Sequence, residues 1–172
     1  MRGLFIGRFQ PLHNGHTTII EHALKEVDSV IVGIGSAESS YLPSDPFTAA
    51  ERMEMLIKAS VELGWTGRIV PVPIRDVNRY SIWVSHVESL CPKFDIVYSN
   101  NPLTVRLFRK AGYTVRSTPL QDRSRLSGVS IREMMLEGDD WRLLVPPSVA
   151  EVIDEVDGVG RLREITARGG AV

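Results

Sequence analysis

The chain has 172 residues, 43% of them apolar and 24% charged, with 20 basic residues against 21 acidic ones and a formal charge of -1. That length and apolar content suit one globular domain with a substantial core, and the balanced charge gives no global field to draw the protein onto nucleic acid or a membrane surface. The single cysteine, Cys91, rules out an intrachain disulfide; no apolar run reaches membrane-span length, the opening MRGLFIGRFQ is interrupted too early for a signal-peptide core, and a cytoplasmic location is expected.

In chain order, Gly3 to Gly7 predicts a short buried strand, and from Asn14 onward Ile19, Ile20, Ala23, Leu24 and Val27 recur at helical spacing. Val30 to Ile34 is a second strand. Thr48 and Glu51 have the spacing of a capping box, opening a helix to about Leu63 with Met53, Leu56, Ile57 and Ser60 as its periodic positions; Gly64 and Gly67 end it. Arg68 to Ile74 reads as a third strand, which Pro71 and Pro73 push to a sheet edge. A helix over Ser81 to Leu90, a strand in FDIVYS, a helix after Pro102 and a strand in YTVRST complete the alternation. Such alternation implies right-handed crossovers, hence an α/β fold: a Rossmann-like five-stranded parallel sheet with helices on both faces. Beyond it, Ser130 with Glu133 and Ser148 with Glu151 have capping-box spacing and predict two extra C-terminal helices over about 130–160. The tail, 166–172, is expected to fray. No repeat, low-complexity tract or linker divides 1–172, which reads as a single domain.

The stretch GLFIGRFQPLHNGHTTII carries most of the chemistry. Asn14 is a good N-cap by residue type and would set Gly15 and His16 in the first helical turn, where backbone N–H groups lack partners and favour an anion. Pro11 stiffens the turn, Gly15 admits a ligand close to the backbone, and His13 and His16 can each donate to phosphoryl oxygens. A solvated loop for Arg8 and His13 and a merely structural turn for His16 stay open on spacing alone.

GRFQPLHNGH, Gly7 to His16, resembles the HxGH signature of the nucleotidyltransferase superfamily, in the GRFQP form of nicotinamide mononucleotide (NMN) adenylyltransferases. SGVSIR, Ser127 to Arg132, resembles the same superfamily's SSTxxR motif. The likeness extends from Met1 to about Val159 and follows the archaeal type, through DPFTAAER, WVSH and GDDWRLLVP. It departs from the pattern at Gly128 and Val129, and Ser44 stands where some relatives carry an arginine. The resemblance implies synthesis of NAD and pyrophosphate from ATP and NMN, magnesium carried with the ATP phosphates, and a homo-oligomer, often a hexamer. It further implies ATP contacts from Gly7, Arg8, Phe9, His13, Gly15, His16, Asn100, Ser127, Ser130 and Arg132.

Adenylyl transfer asks little activation of its nucleophile, because a phosphate monoester with a second pKa of about 6 is largely dianionic at neutral pH. The protein must supply positioning and donors where negative charge accumulates. His13, His16, Arg8 and Arg132 are the catalytic candidates, with His16 against the α-phosphate. Ser130 as N-cap would set Arg132 in a first helical turn, near the β- and γ-phosphates. Arg123 and Arg125 suit a lid or ordinary loop charge. For the mononucleotide, Gly35 and Ser36 offer backbone amides after the second strand. Asp76 either bonds ribose or carboxamide or only forms a turn, and Trp83 either stacks on the nicotinamide ring or is a core tryptophan. Asn100, in SNNP after the fourth strand, is expected to meet the adenosine.

GIGSAE lacks the third glycine of a dinucleotide fingerprint, there is no GxxxxGK[ST], and no third ligand accompanies His13 and His16 for a metal. The competing readings are a nucleotidyltransferase acting on flavin mononucleotide or phosphopantetheine, and a module that senses NAD or ATP without turnover.

Overall fold

The computed structural model describes residues 1–119 and 126–169. Arg123 and Arg125, expected as either a lid or ordinary loop charge, lie outside the described residues. Five strands, β1 (Arg2–Gly7), β2 (Ser29–Ile34), β3 (Ile69–Pro73), β4 (Ile96–Tyr98) and β5 (Thr114–Arg116), form one sheet in the order β3-β2-β1-β4-β5. Every pairing is parallel, with Gly7 opposite Ile34 and Phe5 opposite Tyr98. The two-proline strand β3 stands at an edge, as its missing N–H donors require.

Strand periodicity divides the core. Along β1, Leu4 packs with Ile31, Val97, Val87 and Phe108 on one face, while Phe5 packs with Ile20, Val32 and Tyr98 on the other. Helices α3 (Trp83–Leu90) and α4 (Pro102–Lys110) supply the Leu4 face; α1 (Asn14–Leu24), α2 (Ala49–Glu62) and the C-terminal helices supply the Phe5 face. A single 3-10 turn, Tyr80–Ile82, leads into α3.

Helix starts differ from expectation in three places. The N-cap of α1 is His13, not Asn14, and α5 (Gly128–Glu137) is capped by Ser127, whose Oγ accepts from the Ser130 amide at 3.1 Å. Arg132 therefore sits in the second turn of α5, not its first. Helix α6 (Pro147–Glu155) starts on Pro147, whose fixed φ and missing N–H suit a first position, so Ser148 lies inside the helix. The Thr48–Glu51 capping box forms in full, at 3.2 and 2.9 Å. The buried face of α2 is Arg52, Met55, Leu56, Ala59 and Ser60, while Ile57 is 46% exposed. A third C-terminal helix, α7 (Gly158–Gly169), was not anticipated; it carries the chain in helix to Gly169, past the point where fraying was expected. Asp157, at φ +48°, makes the sharp turn that separates it from α6.

Candidate active site

In the sheet order the chain turns one way from β1 to β2 and β3 and the other way to β4 and β5. At that switch point the carboxyl ends of β1 and β4 splay apart, the usual place for a ligand crevice in an open α/β sheet. A cavity of about 360 Å³ lies there. Phe5, Ile6 and Gly7 line it from β1, Ser99 to Asn101 from the loop after β4, Thr118 and Pro119 from beyond β5. His13, Gly15 and His16 border it from the start of α1, and Ser127 and Gly128 from the start of α5. Two helix N-termini thus meet one cavity. Each brings unpaired N–H groups and the positive end of a dipole, which favours an anion.

The histidines are arranged by the backbone that caps α1. The His13 amide donates to Nδ1 of His16 at 3.3 Å, so in neutral His16 the proton sits on Nε2, the atom left to donate. The two imidazoles stack at 3.6 Å between centroids, and His16 leans on the Phe9 ring at 4.6 Å. Gly15 makes the stack possible: a Cβ there would stand 3.0 Å from the His13 ring. His13 is 6% exposed, and its Nδ1 has no hydrogen-bond partner among the described residues. Burial pushes its pKa down to about 4, and burial with the neighbouring His13 lowers that of His16. Both rings are neutral donors at pH 7.

Three arginines surround one buried carboxylate. Arg8 Nη2 donates to Asp45 Oδ2 at 2.7 Å; the Arg8 side chain is 56% exposed and that of Asp45 only 2%, so the acid is fixed and the arginine can swing. Ser44 donates to the same oxygen at 2.6 Å, while Oδ1 is buried without a partner among the described residues. Arg132 Nη1 donates to the Gln10 carbonyl at 2.7 Å, which brings the second motif against the first. Arg52, fully buried, donates to carbonyls on the loops after β1 and β2.

The structure gathers Gly7, His13, Gly15, His16, Asn100 and Ser127 around the cavity; outside its lining, Phe9 packs on His16, the Ser130 amide bonds Ser127, Arg132 bonds Gln10 and Arg8 pairs with Asp45. Asn100 uses its amide on Thr118, bonding the carbonyl at 2.9 Å, the hydroxyl at 2.7 Å and the Thr118 amide at 2.9 Å, and so clamps β4 to β5. Gly35 and Ser36 lie beyond β2, where the Gly35 amide meets the Gly7 carbonyl at 2.8 Å. The exposed Asp76 follows β3, its amide bonded to Glu38 at 2.9 Å. Trp83 stands apart from the cavity lining, edge-on to Phe108 at 5.4 Å and partly buried in the Leu4-side core. Asp45 and Arg52 were not singled out from the sequence. The available signal for Arg52 was a charge in line with Met55, Leu56 and Ala59 on one helical stripe.

Among the described residues no three His, Cys, Asp or Glu side chains gather where they could hold a metal ion. Imidazoles, guanidinium groups and helix amides suit phosphate oxygens, so this donor set fits a divalent cation carried on phosphates and water. No helix among the described residues is long and apolar enough to cross a membrane.

Residues 4–134 match the family model described as cytidylyltransferase-like. A nicotinamide-nucleotide adenylyltransferase of Methanothrix thermoacetophila is 53% identical over 167 residues, covering 97% of each chain. The enzymes of that name from Haloarcula marismortui and Archaeoglobus fulgidus are 52% and 48% identical, covering 96% and 98% of this chain and 87% and 99% of their own. Among solved structures, a bifunctional NMN adenylyltransferase/ADP ribose pyrophosphatase of Francisella tularensis, complexed with AMP and a manganese ion, superposes with a TM-score of 0.76 at 18% identity. That match covers 95% of this chain and 52% of the other, and it bears on the fold alone. With a family model spanning most of the sequence and near-full-length relatives at about half identity, the chain belongs to the cytidylyltransferase-like family, in the group of the archaeal nicotinamide-nucleotide adenylyltransferases.

Proposed function

We propose that the protein transfers the adenylyl group of ATP to nicotinamide mononucleotide, forming NAD and pyrophosphate. The observation that carries this reading is the meeting of two capped helix N-termini at one cavity beside β1 and β4, with His13 and His16 at the start of α1 and Arg132 one turn into α5. A mononucleotide phosphate oxygen attacks the α-phosphorus of ATP; that P–O bond forms while the bond from the α-phosphorus to the bridging oxygen of the β-phosphate breaks, and pyrophosphate leaves with the electron pair.

The protein's part is positional and electrostatic. His16 Nε2–H donates to an α-phosphate oxygen as charge builds there, with His13 stacked behind it. Arg8 swings from Asp45 to the phosphates, and Arg132 with the α5 amides holds the departing pyrophosphate. Gly7, Phe9, Gly15, Asn100, Ser127 and Ser130 shape the ATP half of the site. Gly35, Ser36, Asp76 and Trp83 serve the mononucleotide half. Magnesium, bound to the ATP phosphates, supplies charge neutralisation of the triphosphate. The enzyme works in the cytoplasm as a homo-oligomer, a hexamer by resemblance, which sedimentation checks.

The test is pyrophosphate release from ATP and magnesium with NMN, nicotinate mononucleotide, flavin mononucleotide and phosphopantetheine offered separately. NMN should give NAD and the fastest release; faster turnover of flavin mononucleotide or phosphopantetheine would reassign the acceptor, and ATP binding without release would reduce the protein to a sensor.

A further inference from the structure

The geometry points to Arg52 as a positioning residue that fixes the separation between the loop after β1 and the loop after β2. The inference rests on the proposed function, in which the first loop serves ATP and the second the mononucleotide. Arg52 is fully buried on α2, yet among the described residues no carboxylate forms a salt bridge with it. Its donors go to carbonyls instead. Nη1 bonds Arg8 O at 2.9 Å and Gly35 O at 2.8 Å, Nη2 bonds Ser36 O at 3.1 Å, and Nε bonds Thr48 O on its own helix at 3.2 Å. With longer bonds from Nη2 to the Ala37 and Ser39 carbonyls, both at 3.5 Å, one planar fork thus holds five peptide groups from two loops in a single geometry, which a flexible ammonium cannot reproduce.

The residues next to these ties are strained in a matching way. Phe9, after the Arg8 carbonyl, has φ +52°, and Ser36, after the Gly35 carbonyl, has φ +46°, a region that residues with a Cβ enter only when their surroundings hold them there. In a trans peptide the N–H points opposite to the C=O. Bonding these carbonyls to Arg52 therefore turns the Phe9 and Ser36 amides away from it, and among the described residues neither amide meets an acceptor. The same bonds seat Arg8 and, through Phe9, the face on which His16 rests. Because the reacting atoms of two substrates must be held close to their reaction distance, slackening this tie should lower kcat more than it raises either KM.

A second guanidinium clamp provides the control. Arg68 donates to the carbonyls of Leu24, Val27 and Asp28 at 2.8 to 2.9 Å, at the opposite ends of the strands from the cavity. Wild type, Arg52→Met, Arg52→Lys and Arg68→Met are assayed with ATP and NMN below the melting transition of each. Expected are losses of about 100-fold in kcat for both Arg52 variants, with each KM changed only a few-fold, and a kcat near wild type for Arg68→Met despite a lowered Tm. Should Arg52→Met not fold, Arg52→Lys decides. A folded Arg52 variant with unchanged kcat, an equal kcat loss in Arg68→Met, or failure of both Arg52 variants to fold would overturn the inference. Absence of NAD formation by wild type would instead overturn the proposed function.

Discussion

Two imidazoles stacked at 3.6 Å on the rim of one cavity would repel each other if both were charged, and burial keeps them neutral at pH 7. An unfolded histidine titrates near 6.5, whereas folded His13 titrates at about 4. Between those values the unfolded chain binds the extra proton, so folding is weakened as pH falls, by about 3 kcal/mol in full for His13, and His16 acts in the same direction. Tm should therefore drop as pH is lowered from 6.5 toward 5, above the unfolded carboxylate range where Glu51 and Asp154, both held down by arginine partners, begin to lose their contribution. The drop should be shallower in His13→Gln; an identical slope would place the titration elsewhere. In the proposed mechanism the His16 contact would strengthen as charge moves onto the phosphoryl oxygens, so it would belong to the transition state more than to bound ATP. His16→Ala should lose on the order of 100- to 1,000-fold in kcat with a small change in KM, while His22→Ala, further along α1, should keep wild-type rates. If kcat survives and ATP affinity collapses, His16 only binds.

At the scale of elements, the site depends on where helices begin. Ser127 caps α5 through the Ser130 amide and so directs the remaining first-turn amides of that helix at the cavity. Ser127→Ala should cost about 1 kcal/mol, or roughly 2 to 4 °C in Tm, and should also raise KM for ATP. A fall in Tm with KM unchanged would mean that the α5 N-terminus does not serve phosphate. Gly128, where the related motif has serine, lies so close to the Gln10 carbonyl and Arg132 Nη1 that a Cβ would stand 3.0 Å from each. The two motifs are thus packed against one another and act as one unit, although 122 residues separate Gln10 from Arg132.

Across the whole molecule, α2 joins the sheet to the C-terminal helices. Arg161 on α7 meets both oxygens of Glu51 at 2.7 and 2.8 Å, bonds the carbonyls of Pro46 and Val156, and lies over the Tyr41 ring at 4.6 Å. The Arg161 and Glu51 side chains are only 14% and 16% exposed, so deleting one partner strands a largely desolvated charge. Arg161→Met should lose about 3 kcal/mol, or roughly 6 to 12 °C in Tm, and thermal melts of the double variant with Glu51→Gln should recover part of that loss. No recovery in the double variant would show that the carbonyl bonds, not the ion pair, hold the latch.

Local signals in the sequence were strong wherever one residue decides the outcome. The parallel sheet followed from alternating strand and helix periods, the edge place of β3 from Pro71 and Pro73, and the start of α2 from the Thr48–Glu51 box. The helix-opening turn after β1 was legible in HNGH, where Gly15 and the flanking polar residues mark the start of a helix. Helix starts at His13 and Ser127 were missed because several adjacent polar residues can cap, and only the packed neighbour selects among them. The helix α7 was missed because glycines such as Gly158 and Gly160 weaken a local helix signal, while burial of Leu162 in the core holds that segment helical. The roles of Asp45 and Arg52 were also beyond local reading. A sequence by itself states which groups are available and at what period; which buried charge meets which carbonyl, across separations of tens of residues, is decided only when desolvation in the folded core makes every unpaired donor expensive.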